Sequence, residues 1–121
     1  MRSILILAAA AVALTAAFTI PAAPAAAKPR PARCVIDAAG APRWSGPCQF
    51  EAGPGGSFTI TPTRGRFQNQ VSSISLAVHH AGMGEVRGLT AAGINSRWGE
   101  ARRSPRDRAC WIGPDFSLCV Y

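Results

Sequence analysis

Alternation of apolar and polar residues is the clearest pattern along this chain. Phe58-Thr59-Ile60-Thr61 and Ile74-Ser75-Leu76-Ala77-Val78 each place apolar side chains on one face, as half-buried strands do. Shorter runs of the same kind span Cys34–Asp37, Cys48–Glu51, Glu85–Thr90, Ala109–Ile112 and Phe116–Tyr121. Turn formers separate them, notably Gly53-Pro54-Gly55-Gly56 and Ala81-Gly82-Met83-Gly84. About seven short strands with Gly/Pro turns predict an all-β fold, a small antiparallel sandwich or barrel. Its expected core is Phe50, Phe58, Ile60, Ile74, Leu76, Val78, Val86, Trp111 and Leu118. The interval 91–108 is less regular. It reads as a long loop or as one short helix near 95–103, capped by Asn95 or Ser96, with Ile94, Trp98 and Ala101 on one side.

The N-terminal end follows a different pattern. Arg2 precedes Ile4 to Ile20, a run of 17 residues without charge, and then the small-residue stretch Pro21 to Ala27. This order matches a signal peptide over residues 1–27, cut after Ala25-Ala26-Ala27. The apolar run is short and Ala-rich for a membrane span, which needs about 20 apolar residues. Cleavage leaves no transmembrane segment and predicts an exported protein, periplasmic or extracellular. Residues 28–33 (KPRPAR) read as a basic, Pro-rich lead-in, disordered or extended, before one domain over 34–121.

All four cysteines, Cys34, Cys48, Cys110 and Cys119, fall in the exported part. An even count in a small exported chain reads as two disulfides, and no Cys-x-x-Cys spacing suggests zinc. Three connectivities are open; the hairpin pairs Cys34–Cys48 and Cys110–Cys119 are favoured. A turn centred on Pro114-Asp115 sets Trp111 opposite Leu118 and Cys110 opposite Cys119. A three-residue loop, Gly40-Ala41-Pro42, would set Cys34 opposite Cys48 by the same counting.

Three short motifs stand out, Gly46-Pro47-Cys48, Gly55-Gly56-Ser57-Phe58, and Ala109-Cys110-Trp111 closing on Cys119-Val120-Tyr121, with Trp98-Gly99-Glu100-Ala101-Arg102 before the last. On these scattered motifs, most of the mature part resembles a group of small exported proteobacterial proteins of uncharacterised function. The resemblance implies a secreted, disulfide-bonded β protein and carries over no catalytic residue.

Charge narrows the functional classes. The whole chain carries +7; without the leader it holds 12 basic and 6 acidic residues, net +6, and 11 of the 12 are Arg. Half of this excess sits in Arg97 to Arg108, with five Arg against Glu100 and Asp107. Arg97, Trp98, Arg102, Arg103, Arg106 and Arg108 are therefore the candidate anion-binding residues, with Trp98 available for stacking. The partner would be an anionic envelope component or an acidic protein. Nucleic acid is disfavoured by export, and an Arg-rich, Lys-poor composition also arises from GC-rich coding. The bland alternative is a solvated basic loop.

Catalysis finds little support. His79-His80 occupy adjacent strand positions, whose side chains point to opposite faces and do not readily share a metal ion. Ser57, Ser72, Ser73, Ser75 and Ser117 with Asp37, Asp107 or Asp115 offer triad fragments, but none lies in a Gly-x-Ser-x-Gly elbow. Asp37 and Glu51 flank one hairpin, but paired-carboxylate hydrolysis needs a groove between them, and nothing in the sequence indicates one. The Gly-rich 53–57 segment leads into a strand, whereas phosphate loops lead into a helix. No cofactor or metal motif is present. The expected function is a secreted or periplasmic, non-catalytic β-rich binding module; the alternatives are an inhibitor of a cell-wall hydrolase such as lysozyme and, third, a small hydrolase.

Overall fold

The computed structural model describes residues 8–20 and 28–121. The basic start and the cut site expected after Ala27 lie outside the described residues. Residues 8–20 form neither helix nor strand, and no described helix is long and apolar enough to cross a membrane.

Eight antiparallel strands run in sequence order and close into a barrel. They are β1 (Arg30–Ala38), β2 (Trp44–Ala52), β3 (Phe58–Pro62), β4 (Val71–His80), β5 (Met83–Thr90), β6 (Asn95–Arg103), β7 (Cys110–Ile112) and β8 (Phe116–Val120). Closure depends on β1, which pairs with β2 along Arg30–Ile36 and with β8 along Cys34–Ala38. A closed barrel leaves fewer strand edges to solvent than a sandwich does.

Period-two alternation fills the interior. Ile36, Ile60, Ile74, Leu76, Val86 and Leu118 are at most 1% exposed. Of the nine expected core residues, seven are buried: Phe58, Ile60, Ile74, Leu76, Val86, Trp111 and Leu118. The other two, Phe50 and Val78, are half-buried and pack against this cluster.

The interval 91–108 is corrected by the structure. It contains no helix; Asn95–Arg103 forms β6, a strand beyond the seven expected. Its Cα register to β5 runs from Leu89↔Asn95 to Met83↔Arg102, with a shift between Val86 and Arg87 that leaves Trp98 as the extra residue. That bulge disguises the strand, because Trp98 breaks the two-residue alternation. Of the lead-in, expected to be disordered or extended, Arg30–Arg33 are extended and belong to β1, where Arg30 faces Phe50 and Pro31 faces Gln49.

Both expected disulfides form, Cys34–Cys48 and Cys110–Cys119. Cys110 and Cys119 are direct cross-strand partners, with Trp111 opposite Leu118, as hairpin counting predicts. The first hairpin differs. Cys34 faces Gly46 and Cys48 faces Ala32, so the bridge crosses diagonally over a Cα separation of 5.8 Å. The hairpin turns one residue earlier than the Gly40-Ala41-Pro42 loop requires: Gly40 holds a φ of 76° and the Ala41 N–H donates to the Ala38 carbonyl, which shifts the register by two residues.

One end of the barrel is plugged. In the β3–β4 connection, Phe67 is 3% exposed and meets Trp44 edge-on at 4.7 Å. Gln68 donates its amide N–H to the Ile36 carbonyl at 3.1 Å. Trp98 reaches the same end of the barrel, where its ring packs edge-on against Phe116 at 5.7 Å. The opposite end, built from the start of β1, the 53–57 and 104–109 loops and the C-terminus, remains open.

Candidate functional site: a basic barrel mouth

The open end holds a cavity of about 240 Å³, lined chiefly by Arg30, Phe50, Phe58, Arg103, Arg108 and Trp111. No carboxylate residue is among its lining residues. The parity that buries Ile36 and Cys34 also points Arg30 toward this mouth, across from Phe50. Its guanidinium sits 4.4 Å from the Phe50 ring centre. Arg103 ends β6 opposite Trp111 of β7, with its guanidinium 5.7 Å from the indole centre. Face stacking of this kind fixes a guanidinium while leaving N–H donors at its edge.

The 104–109 loop is held by its own polar groups. The Ser104 hydroxyl accepts from the Arg106 and Asp107 N–H groups at 3.2 and 3.3 Å. Asp107 accepts from the Ala109 N–H at 3.1 Å and from the Tyr121 hydroxyl at 2.7 Å. Arg103 donates Nε–H to the Arg108 carbonyl at 2.7 Å, tying the strand to the loop. Tyr121 is raised above the ordinary phenol range because Asp107 accepts its proton-bearing hydroxyl and the carboxylate opposes a second negative charge.

The structure divides the six candidate residues of the 97–108 segment. Arg103 and Arg108 reach the mouth. Arg97 lies on the outer wall, 3.1 Å from Glu85, which Arg87 also contacts at 2.9 Å. The Arg97 hydrogen bond holds the Glu85 carboxyl below its ordinary range. Arg102 pairs with Ile112 on the outer face, and Arg106 is exposed on the loop. Trp98 is half-buried, and at the bulge its ring packs inward against the barrel core beside Phe116.

Arg30, Phe50, Phe58 and Trp111 were not among the candidate binding residues. Arg30 carried a usable signal, since it shares the odd–even parity of Cys34 and Ile36. It becomes visible only once β1 is extended back through Pro31.

His79 lies 3.7 Å from Glu100, and its ring meets that of His80 edge-on at 5.0 Å, so the two rings are neighbours and not on opposite faces; the strand register shifts between Val78 and His80. No cluster of three potential metal ligands occurs among the described residues. Ser57 accepts from the Val78 N–H, and Ser72 donates to the Leu89 carbonyl, so both hydroxyls serve the barrel wall. Comparison with known proteins returned no matching family model, curated relative or solved structure, and hence no enzyme-like one.

Proposed function

We propose that the mature chain is an exported, non-catalytic binding module that holds an anionic group at its open barrel mouth. The observation that carries this reading is the convergence of Arg30, Arg103 and Arg108 on one cavity lined by no carboxylate. Two of the three guanidiniums are stacked on aromatic rings, which lowers the entropy lost when they engage a ligand. Two disulfides are compatible with an oxidising compartment and support export. The ligand would be an anionic envelope component or an acidic group of a protein.

Two charge-matched variants test the site. R30Q/R103Q/R108Q and R97Q/R102Q/R106Q each remove three positive charges, the first from the mouth and the second from outside it. On a heparin matrix the mouth variant should elute at lower salt than the outer variant. Equal elution would assign retention to net charge alone and remove the site.

A second reading, inhibition of a cell-wall hydrolase, is favoured by the β3–β4 connection. Arg64 and Arg66 are exposed there, while Phe67 and Gln68 anchor the loop. Asn69 and Gln70 hold left-handed backbone, with φ of 57° and 60°. Such strain at a fixed loop is a pointer to use. A rigid Arg-bearing loop suits a cleft containing paired carboxylates. Measuring lysozyme activity with and without the protein tests it; undiminished activity at excess protein removes it for that enzyme.

A further inference from the structure

We infer that the mouth takes an amphiphilic anion: a sulfate, phosphate or carboxylate head at the guanidiniums, with a short apolar tail inside the barrel rim. This rests on the anion-binding reading above and specifies its ligand. The argument starts from the lining. A site made only to hold an inorganic anion needs donors and no apolar floor. Here Phe50, Phe58, Trp111 and Val120 share the cavity with the arginines. Phe58 and Trp111 are 7% and 6% exposed, so the floor is continuous with the barrel core.

The donors and the apolar floor have separate places. Arg30 and Arg103 lie over the rings of Phe50 and Trp111, and Arg108 comes from the loop above the rim. Arg103 Nε is already committed to the Arg108 carbonyl. Its two terminal nitrogens therefore remain to form a bidentate contact with an oxyanion. An anion seated there leaves whatever it carries beside the apolar floor.

Size limits the tail. The cavity of about 240 Å³ falls below the roughly 300–1,000 Å³ typical of drug-sized sites. The plug of Phe67 against Trp44 closes the far end, and buried Ile, Leu and Val side chains fill the middle. The tail is therefore a ring or a few methylenes, and a long acyl chain does not thread the barrel.

Calorimetric titration with inorganic, ethyl, butyl and hexyl sulfate, and with hexanol, tests this on the mature protein. Affinity should rise about fourfold for each methylene that leaves water, then level off once the cavity is full. Hexanol should bind at least tenfold more weakly than hexyl sulfate. The indole N–H resonance of Trp111 should shift with hexyl sulfate, while that of Trp44 at the plugged end stays in place. A flat series at the level of inorganic sulfate overturns the amphiphile and leaves the anion reading standing. No binding by any sulfate overturns both. Hexanol binding as tightly as hexyl sulfate, or shifts at Trp44 without Trp111, overturns the assigned geometry.

Discussion

Trp98 lies so close against Gly88 that a Cβ at position 88 would sit 2.7 Å from the indole nitrogen. Strand β5 thus provides a gap in the inner wall, and the bulged tryptophan of β6 occupies it. Gly88→Ala should destabilise the domain by about 1–3 kcal/mol through overpacking, read as a lower denaturation midpoint in urea. Combining it with Trp98→Leu should cost less than the two single changes added together, because the clash disappears. Strict additivity would show that the contact is not the cause.

Tyr121 is the only tyrosine of the chain, so its ionisation can be followed alone by absorbance. Its midpoint should lie above the ordinary value of about 10 and return toward it in Asp107→Asn. The sign for stability follows. A phenol whose folded pKa is raised contributes fully below its unfolded pKa, and that contribution is lost as pH rises through the folded pKa. Tyr121→Phe should remove this part of the alkaline loss. An unshifted midpoint in the native chain would mean that the Asp107 contact does not persist in solution.

The two disulfides should differ in their access to reductant. Cys34 and Cys48 are fully buried, whereas Cys110 is 7% exposed and Cys119 half-buried. Limiting thiol applied to native protein should open Cys110–Cys119 first, as read by alkylation and peptide mapping. Loop-closure entropy gives each bridge about 3 kcal/mol. Cys34→Ala/Cys48→Ala should cost more than that, since it also leaves a void among fully buried side chains.

Gln70 holds φ at 60° without being glycine. Gln70→Gly should relieve left-handed strain and stabilise the fold by about 0.5–1 kcal/mol net, after the greater unfolded freedom of glycine is counted. Its backbone carbonyl, which accepts from the Ala91 N–H at 3.0 Å, is retained. A lower thermal midpoint would show that the side chain, hydrogen-bonded to Arg66 at 3.1 Å, matters more than the strain.

Local features were legible in the sequence. Alternation identified β3 and the centre of β4, and the Pro114-Asp115 turn set the register of the last hairpin to the residue. Both depend on a few neighbouring positions. The first hairpin has the expected disulfide and a different register, because its turn centres on Gly40 rather than on Ala41; that β1 also pairs with β8, 78 or more residues away in the chain, no local pattern shows. β6 was missed because a bulge at Trp98 interrupts its pattern. The Arg97–Arg108 cluster was visible as charge along the chain, yet only Arg103 and Arg108 reach the mouth. Facing alternates along a strand, so Arg102 and Arg103 part company even though they are adjacent.

The sequence by itself determined an all-β domain, most of its core and the sign of its charge, and it favoured the cysteine pairing that forms. Those follow from residue type and a two-residue period. Only the tertiary structure decided that β1 meets β8, that one end is plugged by Phe67, and that Arg30 joins Arg103 and Arg108 around one cavity. Closure brings together residues more than 70 positions apart, and no local pattern encodes which strand edges will meet.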